Sequence, residues 1–234
     1  MTISRKNFIS ATALGVSAAA LANLDTVANA DVERAPIHFH ILKQNEYDKA
    51  LMMQKLTIDR DHKQVFESVS PLIIAPGVAS IYIHMQNAIN AYQFSLGLGQ
   101  LATLGVFIGP SIAFALTDAM WTKYGFGKAF AMAPTNVYYK ADSNLDLNAA
   151  PDDAHGVYQD WSAQAVLKRG GQFFVCHNAM TGIALVTGMK TGADPKSVLA
   201  DFEKNVLPGF QVVPAGVAAV QQAQELGWKL YPII

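Results

Sequence analysis

Cys176 is the one thiol in the 234-residue chain, and it stands where a short apolar run gives way to a helical one. Gln172 to Val175 reads as a buried strand, Gly170-Gly171 before it stops a helix, and residues 179–188 favour helix again. In a parallel α/β sheet the loop after a strand's C-terminal end opens on the edge where ligands bind, and the next helix points its N-terminus at that loop. The partial positive charge of a helix N-terminus favours thiolate over thiol, which makes a cysteine nucleophilic. The competing reading is inert: free cysteine is among the most buried residue types and packs as a small hydrophobe. His177 and Asn178 are the neighbours that could orient the sulfur. Adjacent side chains on an extended strand point to opposite faces, so His177 reaches the sulfur only if the chain has already turned.

Two other groups invite a chemical reading. Gly109-Pro110-Ser111 closes a second apolar run, residues 101–108, and so stands at a strand end as Cys176 does. If the two strands lie close, backbone amides and the Ser111 hydroxyl line one pocket with Cys176. An ordinary strand-to-helix turn explains the same residues equally well. His38 and His40 share one face of a first strand predicted over residues 35–42, a spacing that could hold a metal with a third ligand from elsewhere. No third ligand is evident, a polar strand face is the better reading, and neither a metal nor a cofactor is expected.

The elements that must position these residues follow from periodicity and breakers. A polar segment at residues 59–64 reads as the cap of a short helix ending near Ser70-Pro71. After Pro76-Gly77 a helix is predicted over residues 78–96, with Val78, Ile81, Met85, Ala88, Ile89, Tyr92 and Leu96 on its buried stripe and His84, Asn87 and Asn90 off it. Residues 111–123 read as helix with Phe114, Met120 and Trp121 inward. Residues 123–153 are the least regular, with short extended pieces near 129–134 and 137–139. A helix over 156–169 precedes the cysteine segment. Asp194-Pro195 starts another that runs to about Asn205. Strand 210–213, helix 217–226 and strand 228–231 complete the alternation of strand and helix that signals a parallel sheet with right-handed crossovers.

Composition bounds what such a domain does. The opening residues carry Arg5-Lys6, then an uncharged alanine-rich run, then Ala28-Asn29-Ala30. This is the three-part pattern of a secretory signal peptide over residues 1–30, and its apolar run is too short to span a bilayer comfortably. Residues 31–234 then form a single domain with no integral membrane segment. The segment from Ser4 to Ile9 resembles the twin-arginine export motif, with lysine in place of the second arginine. Loss of Arg5, Lys6 and Asp25 takes the net charge of −1 to about −2, so nothing attracts a phosphate backbone and nucleic acid is excluded as a partner. Only 15% of residues are charged against 51% apolar, which leaves apolar surface for an oligomer. A single cysteine in an exported chain makes no internal disulfide, and is either buried or kept for its chemistry.

Several segments in order resemble the DsrE-like family. These are Phe173-Phe174-Val175-Cys176-His177-Asn178-Ala179-Met180, then Leu207-Pro208-Gly209-Phe210-Gln211-Val212-Val213-Pro214-Ala215-Gly216-Val217, then Gln224-Glu225-Leu226-Gly227-Trp228-Lys229-Leu230-Tyr231-Pro232. Upstream, Met85-Gln86-Asn87-Ala88-Ile89-Asn90-Ala91-Tyr92 and Gly105-Val106-Phe107-Ile108-Gly109-Pro110-Ser111 resemble its first helix and second strand. The resemblance implies a three-layer α/β/α domain with a mainly parallel central sheet and flavodoxin-like layering, assembled as a homo-oligomer or hetero-oligomer. In sulfur-trafficking members a cysteine at the place of Cys176 accepts a sulfane sulfur as a persulfide and passes it on. The implied function is a periplasmic sulfur carrier or sulfurtransferase-like protein, whose partners are a small sulfur-containing molecule or a partner thiol protein. The chain departs from the cytoplasmic sulfur-relay members in its leader, and residues 46–76 and 123–153 look like insertions. The alternative is a non-catalytic module that binds a small ligand between Gly109-Pro110-Ser111 and Cys176-His177-Asn178, or serves in assembly.

Overall fold

Residues 39–233 are described by a computed structural model. After an irregular start comes α1 (Lys49–Leu56), whose N-cap Asp48 accepts a hydrogen bond from the Leu51 amide. Next are β1 (His62–Ser68), a small antiparallel hairpin of β2 (Ile73–Ala75) and β3 (Val78–Ala79), α2 (Ser80–Asn90) with a π turn at Ala91–Ser95, and β4 (Leu101–Phe107). A 3-10 turn (Gly109–Ala115), α3 (Asp118–Tyr124), α4 (Phe126–Phe130), a second 3-10 turn (Val157–Gln159) and α5 (Ala163–Lys168) lead to β5 (Gln172–Cys176). The chain ends with α6 (His177–Thr191), α7 (Pro195–Lys204), β6 (Phe210–Val213), α8 (Gly216–Glu225) and β7 (Lys229–Ile233).

The main sheet has the order β6-β5-β4-β1-β7, and every pairing in it is parallel. Alternation along each strand sends side chains to two cores. Phe66, Phe107, Phe173 and Val175 pack with α2, α5, α6 and α7, while Val65, Leu104, Val106, Phe174 and Val213 pack with α1 and α8. The result is the expected three-layer α/β/α architecture. Burying each of these large side chains contributes about 1.5–3 kcal/mol, and Phe173 stacks on Phe210 at 4.6 Å between ring centres.

Handedness decides which layer each helix joins. From β1 through β4 and β5 to β6 the chain steps across the sheet in one direction, so right-handed crossovers place all the intervening helices in one layer. The step from β6 back to β7 runs the other way, and the same handedness puts α8 in the opposite layer. β5 and β6 are neighbours that hand the chain to opposite layers. A crevice therefore opens between their C-terminal ends, where ligands of open α/β sheets bind.

Several local expectations are corrected. The described part of the predicted first strand, residues 39–42, has no regular structure, and the sheet instead begins with β1, where the sequence suggested a helix cap. Its polar start is accommodated at the rim, where Lys63 donates from Nζ to the Leu226 carbonyl at 2.8 Å. The helix predicted from Val78 starts at Ser80, because Val78 and Ala79 pair with β2. The helix predicted over 111–123 divides into a 3-10 turn and α3, separated by Leu116, which bridges to Val206. The helix predicted over 156–169 divides at Ser162, the N-cap of α5, whose side chain accepts from the Ala165 amide at 3.1 Å. The extended piece predicted near 129–134 overlaps α4. The leader at residues 1–30 and His38 lie outside the described residues.

Candidate functional site: a thiol at the crevice between two strands

Cys176 is the last residue of β5 and the N-cap of α6 at once. Its backbone is still extended, which turns the sulfur back over the first turn of the helix, where it accepts the Ala179 amide at 3.3 Å. In register across the sheet it faces Val213, the last residue of β6. The Asn178 amide donates to the Pro214 carbonyl at 3.3 Å, tying the start of α6 to the turn that starts α8.

Gly216 lets α8 come close. A Cβ there would lie 3.1 Å from the Cβ of Cys176 and 2.6 Å from Cγ1 of Ile108. The thiol therefore sits between the N-termini of two helices of opposite layers, each carrying partial positive charge.

Cys176 opens onto a cleft of about 470 Å³, within the range typical of small-molecule sites. Ile108, Gly109, Pro110 and Asn178 share the cleft with it, and α4, α6 and α8 wall it with Phe126, Phe130, Ile183, Val186 and Val217. Phe39 and Pro71 complete an almost wholly hydrocarbon lining whose one charged side chain is that of Lys190. The cysteine is 4% exposed, so a reagent reaches the sulfur through this cleft or not at all.

Of the residues singled out in sequence, Cys176, Asn178 and Gly109 line the cleft together. Gly109 holds a left-handed φ of 59°, and a Cβ there would come within 3.1 Å of the Val69 carbonyl oxygen. Ser111 is fully buried and turned away from the cleft: its hydroxyl donates to the Ser68 carbonyl at 2.5 Å and accepts from the Ile108 amide at 3.2 Å, pinning the turn after β4 to the end of β1. His177 is separated from the sulfur. Its ring is buried, Nε2 is paired with Oε1 of Glu203 on α7 at 2.9 Å, and it borders a different hollow of about 590 Å³ shared with Tyr47, Lys55 and Gln211. His40 lies in irregular chain 3.4 Å from Glu46. Among the described residues no group of three or more histidine, cysteine or acidic side chains is placed to hold a metal ion, and no helix is long and apolar enough to cross a membrane.

Sequence reasoning missed Ala179, Gly216, Phe126 and Phe130. The Pro214-Ala215-Gly216 turn after a strand was the available signal for a second helix start at the site. Phe126 and Phe130 stand four apart, the spacing of one helix face, but in a segment whose Gly, Pro, Asn and Asp content reads as irregular.

Fold and cleft together define a doubly wound α/β/α protein with a thiol at the crevice where its connections change layer. No protein-family model matches the chain, and no curated protein matches it.

Proposed function

We propose that this chain is an exported, DsrE-like sulfur carrier in which Cys176 receives a sulfane sulfur and holds it as a persulfide. The observation that carries the reading is the sulfur of Cys176 accepting the Ala179 amide in the wall of a cleft large enough for a small donor. Donated hydrogen bonds and helix N-termini favour anionic sulfur, the form that attacks and the form in which a persulfide is held. The thiolate attacks the outer sulfur of a donor R–S–SH, a new S–S bond forms at Cys176, the donor's own S–S bond breaks, and RS⁻ leaves with the electron pair. The sulfane sulfur keeps its oxidation level, so no outside oxidant or reductant enters. Neither His177 nor Ser111 takes part.

The leader pattern at residues 1–30 supports a periplasmic location, and the exposed apolar side chains of Val186 and Val217 on the cleft, with that of Met189 on the same helix as Val186, support a homo-oligomer. The hydrocarbon lining supports one alternative, a module that binds a small apolar ligand without covalent chemistry. Incubation of the mature protein with polysulfide, followed by intact mass spectrometry, separates the two. The carrier gains sulfur on Cys176 and the Cys176→Ser variant gains none. Equal masses for the two proteins after treatment overturn the carrier reading and leave the binding module.

A further inference from the structure

From the lining of the cleft we infer the class of donor: a neutral hydropersulfide whose sulfur is carried on a hydrocarbon group, rather than thiosulfate or a charged peptide persulfide. The inference rests on the carrier reading above. The cleft is polar at its floor, where the sulfur meets the Ala179 amide and the helix starts of α6 and α8, and again at the far end of α6, where Thr187, Lys190 and Thr191 join the lining; Tyr124 also borders it, with its hydroxyl taken by Asp201. Between these two polar ends the walls, formed by Phe126, Phe130, Ile183, Val186 and Val217, are hydrocarbon and offer no hydrogen-bond partner. A donor that spreads charge along these walls loses hydration without compensation, whereas a hydrocarbon group gains by leaving water. The volume of about 470 Å³ also exceeds what one transferred sulfur atom needs and leaves room for the carrying group. Lys190 is the one cation on the lining, and it lies over three turns along α6 from Cys176.

The reaction is the one already written, with R apolar: Cys176–S⁻ and R–S–SH give Cys176–S–SH and RS⁻. Attack on the inner sulfur would instead leave R on the protein and release HS⁻, and mass spectrometry separates these products.

The test compares benzyl hydropersulfide, glutathione hydropersulfide and thiosulfate as donors to the mature protein, each rate divided by that donor's rate with free cysteine. The expected result is a normalised preference of about tenfold or more for the benzyl donor, the size of effect that burying an aromatic group gives. Val186→Lys, at a position 46% exposed, narrows the preference by charging the wall, while circular dichroism and size-exclusion chromatography confirm that the variant keeps the fold and assembly state of the wild type. Equal normalised rates for the benzyl and glutathione donors, or faster loading by thiosulfate, overturn the donor class and leave the carrier reading intact. Absence of loading by any donor, in a protein whose Cys176 is still alkylated by iodoacetamide, overturns both.

Discussion

Gly216 packs against Cys176 so closely that a methyl group on it would stand 3.1 Å from the cysteine Cβ and overlap the side chain of Ile108 at 2.6 Å. The contact joins the start of α8 to the end of β5, so the crevice depends on a residue that adds no atoms to it. Gly216→Ala is expected to displace Ile108 into the cleft, cost about 1–3 kcal/mol through overpacking, and slow alkylation of Cys176. Thermal melting and iodoacetamide kinetics check the two effects. Alkylation as fast as in the wild type would mean that the sulfur is not reached through this cleft.

His177 and Glu203 form a pair that holds α6 to α7, on the far side of the sulfur. His177→Leu is expected to lower stability by about 0.5–1.5 kcal/mol through the lost hydrogen bond to the half-exposed Glu203, and to leave the rate of Cys176 alkylation and sulfur loading unchanged. A fall in rate of about a hundredfold, the low end of what removal of a general base produces, would restore the histidine to the site.

Asp201 on α7 accepts from Lys123 Nζ and from the Tyr124 hydroxyl, each at 2.5 Å, and so clamps α3 to α7 behind the wall of the cleft. The hydrogen bond from Lys123, then that from Tyr124, holds the Asp201 carboxyl below its usual value, while the hydrogen bond to Asp201 raises Lys123. A depressed acid contributes stability that is fully present above its unfolded value and is lost as pH falls through the folded one. A raised lysine contributes below its unfolded value and loses the contribution as pH rises through the folded one. The melting temperature of wild type should therefore exceed that of Asp201→Asn across the neutral range, with the gap closing below about pH 4 and again above about pH 10.5. Melting curves across pH for the two proteins decide it, and a gap that persists in acid would assign the effect to packing.

Much of the C-terminal half was legible because its signals agree. Phe173 to Cys176 is an apolar run that follows a glycine pair, Asp194-Pro195 marks a helix start, and β6, α8 and β7 follow as predicted to within a residue or two. The parallel sheet follows from that alternation. β1 was hidden because His62, Lys63 and Gln64 make its first half polar, and a strand that enters the sheet from its rim needs buried residues only further along. Neighbouring residues also gave no indication of where their side chains turn. Ser111 stands two residues from Gly109 and His177 next to Cys176, yet the hydroxyl is occupied by the Ser68 carbonyl and the imidazole by Glu203. Those directions are set by which strand lies beside β4 and which helix lies over α6, and both are non-local.

Although β5 and β6 deliver the chain to opposite layers, the two sides of the crevice are joined by the ladder from Phe173 and Phe210 to Cys176 and Val213, by the Asn178 amide on the Pro214 carbonyl and by Gly216 against Cys176. The sulfur is thus held by strand register and by both helix starts at once, so the position of the reacting atom is settled by the same contacts that join the two layers.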